Sequence, residues 1–175
     1  MDKNELRKTI KAIALLDRHD KSHNIVSCLL ALAELKKSTS VFMFMGDSRE
    51  PDLSYLIKHS TALQKECYVP VTTDIIRFAR VDEYTTLERK KYGILEPQLP
   101  NYTEITPDII IVPMVACDKN GGRLGHGKGY YDRFLADKNI YKVGVTFSDF
   151  IVSDTFCCAH DIKMDIIITD KGILE

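Results

Sequence analysis

Apolar residues recur at Leu6, Ile10 and Ile13, with Leu16 or Asp17 completing the run, and again at Ile25, Leu29, Leu32 and Leu35. This three-to-four spacing predicts two amphipathic helices at the start of the chain. The pattern then changes. Ser40–Met45 (SVFMFM) is a short, apolar, β-prone run, which predicts a buried strand. Gly46–Pro51 reads as a loop, with Pro51 placed to open a helix through Leu53, Leu56, Ile57 and Leu63. Cys67–Val71 and Ile75–Val81 predict two more strands, and the proline-rich, polar stretch from Tyr92 to Pro107 a long ordered connection. Asp108–Pro113 (DIIIVP) is the clearest buried strand. A helix is predicted from Tyr130 to Asp137, and strands at Tyr141–Phe147 and Asp165–Thr169. Helices alternating with short apolar strands predict an α/β fold, a three-layer Rossmann-like sandwich whose mostly parallel central sheet is flanked by helices.

The 175 residues fit one domain, 1–175, long enough to bury a real core. With 24 basic and 25 acidic residues the net charge is −1, which argues against nucleic acid or an anionic membrane as partner. The five cysteines are odd in number and none has CxxC spacing, so neither a disulfide framework nor a zinc site is expected, and a reducing compartment fits. The first residues, MDKNELRKTIKAIALLDRHDK, are too interrupted by charge for a signal peptide. No apolar run approaches the roughly 20 residues of a membrane span. A soluble, cytoplasmic protein is expected.

Candidate chemistry concentrates in one place. Gly121, Gly122, Gly125, Gly127 and Gly129 put five of the nine glycines within nine residues, between a predicted strand and a predicted helix. Such density marks backbone that turns tightly or approaches a ligand closely, and N–H groups in that position can cradle an anion. Arg123 and Lys128 add positive charge, and Asp132 is placed to hold a divalent cation against phosphates. The alternative is a plain surface loop before an amphipathic helix. The run fails as a P-loop, because Gly129 stands where a Ser or Thr ligates magnesium, and as a dinucleotide GxGxxG, because its register is GxGxG.

Val112–Asp118 (VPMVACD) and Gly122–Leu135 (GRLGHGKGYYDRFL) resemble the signature of the 5-formyltetrahydrofolate cyclo-ligase, or methenyltetrahydrofolate synthetase, family. Lys3-x-x-Leu6-Arg7, Tyr92-Gly-Ile-x-Glu96-Pro97 and His160-Asp-x-x-Met-Asp165 resemble its flanking segments, in the right order. The resemblance implies a cytoplasmic, monomeric enzyme that converts 5-formyltetrahydrofolate, with or without a polyglutamate tail, to 5,10-methenyltetrahydrofolate. It implies ATP as co-substrate, Mg2+ as cofactor, and release of ADP and phosphate after phosphorylation of the formyl oxygen. By matching position, ATP would be held by Lys3, Arg7, Arg123, Leu124, Gly125, His126, Gly127, Lys128, Gly129, Tyr130 and Tyr131. The folate would meet Met45 and Glu50, together with His126, Gly127, Lys128, Gly129 and Tyr130. Lys128, Arg123 and Tyr130 would carry catalysis, and Asp132 and Asp165 would ligate the metal.

The chain departs from the family pattern at Met114, Cys117 and Phe150, where changes in pocket shape are expected. On the residues alone, Lys3 and Arg7 also read as a solvated helix face. Asp165 reads equally as a loop end, His160-Asp161 as a turn, and Cys157-Cys158 as packing or surface. Two rivals remain open: another ATP-dependent enzyme on the same scaffold, and a non-enzymatic folate or nucleotide-binding module. Glu50 with Tyr130-Tyr131 speaks against the first, and the joint cationic and acidic sets against the second.

Overall fold

The computed structural model describes residues 2–72, 75–90 and 93–174. Its centre is an eight-stranded sheet in the order β12-β11-β10-β7-β1-β2-β3-β6. The strands are β1 (Ser40–Phe42), β2 (Glu66–Thr72), β3 (Ile76–Val81), β6 (Asn101–Thr103), β7 (Ile109–Pro113), β10 (Tyr141–Val145), β11 (Ile166–Thr169) and β12 (Gly172–Ile173). From β11 through β10, β7 and β1 to β2 every pairing is parallel, whereas β3, β6 and β12 join antiparallel at the edges. The expected mostly parallel sheet is present.

All five residues of β7 are buried, and the alternation of its side chains defines two cores. Ile109 and Ile111 pack with Leu6 and Ile10 of α1 (Lys3–Ala12), with Ile25 and Leu29 of α2 (Arg18–Ala31), and with Leu35 of α3 (Ala33–Lys37). Ile110 and Val112 face the other way, toward Phe42, Phe78, Ile140 and Leu135 of α5 (Tyr130–Leu135). Each fully buried Ile or Val side chain is worth about 1.5–3 kcal/mol of transfer free energy, so β7 anchors both layers. The three-layer arrangement follows from that one strand.

Some boundaries differ from expectation. Helix α1 ends at Ala12 with Ile13 as its cap, and Leu16 is exposed in the link to α2, whose N-cap Asp17 has a φ of 53°. The helix expected through Leu63 is only α4 (Ser54–Lys58), and Gln64, with a φ of 53°, closes the turns after it. The connection from residue 92 to 107 contains β5 (Leu95–Pro97), which pairs with β4 (Leu87–Arg89), as well as β6. Strands of three residues are too short to show a period. Tyr92 lies outside the described residues. Among the described residues no helix is long and apolar enough to cross a membrane.

The opposite ends of the central strands have different work. At the N-terminal edge, the Asp108 carboxylate accepts from the backbone N–H groups of Thr39 and Ser40 at 2.7 and 2.9 Å and from both hydroxyls, tying the start of β7 to the start of β1. Those backbone hydrogen bonds, Ser40 first, hold the carboxyl down to about 2. The ionised form therefore favours the folded chain; this contribution is complete above about pH 4 and is lost as pH falls toward 2. Because the group is exposed, its worth is on the order of 1 kcal/mol after screening. Asp108→Asn is expected to remove that acid-dependent component, read as a smaller loss of urea midpoint between pH 5 and pH 3 than in the unmodified protein.

Candidate active site

Beyond the C-terminal ends of β1 and β7 lies a cavity of about 910 Å³. Phe44, Met45 and Pro113 supply its floor from the two strands and the residues that continue them. The whole stretch from Arg123 to Asp132 lines it, as do Lys3, Arg7 and Glu50. Three of the expected segments, Lys3 with Arg7, Met45 with Glu50, and Arg123–Asp132, thus meet in one cavity.

The loop hangs from a buried acid. Strand β8 (Ala116–Cys117) pairs antiparallel with β9 (Arg123–Leu124), and Asp118 sits in the turn between them. Its Oδ1 accepts from the N–H groups of Asn120 and Gly122 at 2.9 and 3.0 Å. Its Oδ2 accepts from the N–H and hydroxyl of Thr155 at 3.0 and 2.5 Å. Burial pushes the Asp118 carboxyl up, but the Thr155, Gly122 and Asn120 donors outweigh it and hold the group below its ordinary value. Gly122 must be glycine: a Cβ there would stand 2.2 Å from Asp118 Oδ2 and 2.4 Å from the Thr155 hydroxyl.

Helix α1 supplies the second anchor. Its first turn is fixed by a capping box, in which Asp2 accepts from the N–H groups of Asn4 and Glu5 while Glu5 accepts from the N–H of Asp2. Arg7, one turn on, donates through Nε to the carbonyl of Gly125 at 2.8 Å. Gly127, with a φ of +96°, lets the loop pass beside that guanidinium, since a Cβ would stand 3.2 Å from Arg7 Cζ. Lys3 reaches the carboxylate of Asp161.

Inside the cavity, Arg123 is almost fully buried and pairs with Asp132 at 2.7 Å. Asp132 also accepts from the N–H of Ile162 at 3.2 Å. Among the described residues, Arg123 Nε and the buried hydroxyl of Tyr131 have no hydrogen-bond partner. Burial pushes the Tyr131 phenol well above its usual range, so it stays neutral. Lys128 is exposed at the rim, and Arg133 lies 5.3 Å from the centre of the Tyr130 ring. Magnesium keeps several waters and takes one or two carboxylates along with phosphate oxygens, so the Asp132 carboxylate fits such an ion.

On the opposite wall, buried Glu50 accepts from the N–H of Asp47 at 3.0 Å and meets His126 Nε2 at 2.9 Å. The hydrogen bond to Glu50 holds the His126 imidazole above its ordinary value, against the opposing effect of burial. Two arginines not foreseen in the sequence shape this wall. Arg18 donates to the carbonyls of Glu50 and Asp47, and Arg49 donates to those of Ile10 and Ile13. Both act through backbone carbonyls of distant segments, which leave no spacing signal.

One expectation is corrected. Asp165 does not reach the cavity: it precedes β11 at the N-terminal edge of the sheet, where it accepts from the backbone N–H and the ammonium of Lys142 at 2.7 and 2.8 Å. Parallel pairing places that edge opposite the glycine loop. The acid of the same segment that does line the cavity is Asp161, together with His160. The departures at Met114, Cys117 and Phe150 are also resolved, since all three are buried and none lines the cavity. Met114 packs over Gly144, and Phe150 lies under the Arg49 guanidinium at 5.0 Å.

The model of the 5-formyltetrahydrofolate cyclo-ligase family matches residues 2–170. The chain is 30% identical over 154 residues to a Haemophilus influenzae protein named 5-formyltetrahydrofolate cyclo-ligase, covering 82% of each. Its fold is similar to the solution structure of Aquifex aeolicus 5,10-methenyltetrahydrofolate synthetase, with TM-score 0.84, 36% identity and coverage of 99% and 92% of the two chains. It is also similar to a Mycoplasma pneumoniae 5,10-methenyltetrahydrofolate synthetase, with TM-score 0.75, 25% identity and coverage of 97% and 99%.

Two outcomes are expected here. Asp118→Asn, which turns one acceptor oxygen into a donor facing donors, should destabilise the fold by about 2–4 kcal/mol in urea titration; an unchanged midpoint would remove Asp118 as the loop's anchor. In an NMR titration His126 should lose its proton above the ordinary histidine value, so the Glu50 contact is at full strength below the ordinary value and weakens as pH rises through the raised one. Glu50→Gln should bring the His126 midpoint back down.

Proposed function

The chain belongs to the 5-formyltetrahydrofolate cyclo-ligase family, and on that premise we propose that it is an ATP- and magnesium-dependent cyclo-ligase making 5,10-methenyltetrahydrofolate from 5-formyltetrahydrofolate. The observation that carries this reading is the shared cavity. One wall is cationic, from Lys3, Arg7, Arg123 and Lys128, and the other offers Met45 and the buried acceptor Glu50.

In this reading the cationic wall and the glycine-loop backbone hold the ATP phosphates, and Glu50 accepts from pterin donors once His126 yields its place. Asp132 would hold magnesium, which would supply charge neutralisation at the phosphates. The formyl oxygen attacks the γ-phosphorus and ADP leaves. The second folate nitrogen then closes on the formyl carbon and loses its proton, and phosphate departs with the former formyl oxygen. ATP is needed because an amide oxygen leaves poorly until phosphorylated. Lys128 offsets charge on the transferring phosphoryl group, and Tyr130, beside it, packs against the folate near the formyl group. Arg123 holds the Asp132 carboxylate in place until phosphate arrives. Positioning and electrostatics supply most of such catalysis.

Purified protein mixed with 5-formyltetrahydrofolate, ATP and magnesium should give an ATP-dependent rise in the near-ultraviolet absorbance of the methenyl product. No rise would overturn the reading, and ADP release with some other substrate would replace it. Lys128→Ala should lower kcat roughly 10²–10³-fold, the scale for losing one preorganised charge partner. Near-full turnover would remove Lys128 from the mechanism.

A further inference from the structure

The turn that carries Glu50 is closed on itself and fastened to α2. The Glu50 N–H donates to the Asp47 carbonyl at 3.3 Å, and the Arg49 N–H donates to Asp47 Oδ1 at 2.7 Å. Gly46 permits the tight entry, since a Cβ there would stand 2.5 Å from the Pro51 carbonyl oxygen. Arg18 of α2 then holds the turn through the carbonyls of Asp47 and Glu50, at 2.9 and 3.0 Å. The turn is thus a fixed point beside the cavity.

From that point the Arg49 side chain reaches to helix α1. A single nitrogen, Nη2, donates to the carbonyls of Ile10, in the last turn, and Ile13, the cap, at 2.9 and 3.0 Å. Carbonyls at a helix end lack the usual partner four residues on, and a cation there also meets the negative end of the helix dipole. The Phe150 ring backs the guanidinium at 5.0 Å. Beyond α1, residues 13–17 form neither helix nor strand, and they include exposed Leu16 and left-handed Asp17. That link does not itself set where the helix lies.

Leu6 and Ile10 bury α1 against the core, but apolar packing has no direction and does not by itself fix sliding or rotation of a helix. Hydrogen bonds do have direction. On the cavity side these are Lys3 to Asp161 and Arg7 to the Gly125 carbonyl. In the proposed reading both cations turn to the ATP phosphates, so these holds are given up when ligand binds, whereas the Arg49 bonds are not. We infer that Arg49 is a positioning residue, a strut from the Glu50 turn to the C-terminal end of α1 that keeps Lys3 and Arg7 in place for ATP. The inference rests on the assignment of Lys3 and Arg7 to the phosphates. Arg7 lies one turn before Ile10, so a shift at the strut passes directly to it. The fastening has an order: Arg18 ties the turn to α2, and Arg49 ties α1 to the turn. Loss of the two arginines therefore has different consequences.

The test compares Arg49→Met, Arg49→Lys and Arg18→Met with the unmodified full chain, with matching circular dichroism to show that each is folded. Binding of ATP with magnesium is read by calorimetry, and the KM for 5-formyltetrahydrofolate by formation of methenyl product. The placement of Glu50 is read from the raised His126 midpoint by NMR. Arg49→Met should weaken ATP binding about tenfold, the equivalent of one charge-assisted hydrogen bond, while the folate KM stays within about threefold. Its His126 midpoint should stay raised. Arg49→Lys, which keeps the charge without the planar fork, should recover part of the loss, and it carries the comparison if Arg49→Met does not fold. Arg18→Met frees the turn itself, so it should raise the folate KM, weaken ATP binding and lower the His126 midpoint together. Unchanged ATP binding in Arg49→Met would overturn the strut. So would a folate KM and a His126 midpoint that move as far as ATP binding does, because Arg49 would then act on the turn and not on α1. Calorimetry and NMR need no turnover, so ATP binding without methenyl product would sink the proposed reaction alone, and no ATP binding by the unmodified protein would sink both.

Discussion

Everything at the cavity depends on one buried carboxylate. Asp118 closes the β8–β9 turn through Asn120 and Gly122 and, with its other oxygen, takes the Thr155 segment. A buried charge costs several kcal/mol unless its lone pairs are filled. Four donors fill these, so the turn has one stable geometry. From it Arg123 enters the cavity at a fixed height, and the chain beyond Thr155 is carried back to place Asp161 beside Lys3. The glycine loop is thus held at both ends, by Asp118 before it and by Arg7 within it.

Between those anchors several charged groups of the cavity pair with one another. Arg123 faces Asp132, Lys3 faces Asp161, and His126 faces Glu50. In the proposed reading, each pair joins a group suited to one ligand with a group suited to another, phosphate against metal or folate. Bound ATP, magnesium and folate would exchange these internal partners for ligand ones, so desolvation of the buried groups is already met before ligands arrive. Arg123 Nε and the Tyr131 hydroxyl, which lack partners among the described residues, are groups such ligands could satisfy.

Much of this was legible in the chain. The DIIIVP run announced β7, and its position between two cores follows from having no polar residue to expose. The glycine density foretold close approach, which Gly122 and Gly127 bear out against Asp118 and Arg7. Lys3, Arg7, Met45, Glu50 and the Arg123–Asp132 stretch do meet in one cavity. Asp165 was misjudged because a residue just before an apolar strand lies at that strand's N-terminal edge, and parallel pairing puts this edge opposite the site. Arg18, Arg49 and Thr155 were not found because they work on backbone groups or on residues far away in sequence. The short strands β4, β5, β8 and β9 escaped because two or three residues cannot display a period.

In the proposed reaction the formyl oxygen itself becomes a phosphate oxygen. This transfer is tested most directly with 5-formyltetrahydrofolate labelled with ¹⁸O in the formyl group, turned over with ATP and magnesium, and the released phosphate analysed by mass spectrometry. One labelled oxygen per phosphate is predicted for each methenyl product formed. Unlabelled phosphate accompanied by methenyl product would contradict the account, because the oxygen would then have left without being phosphorylated.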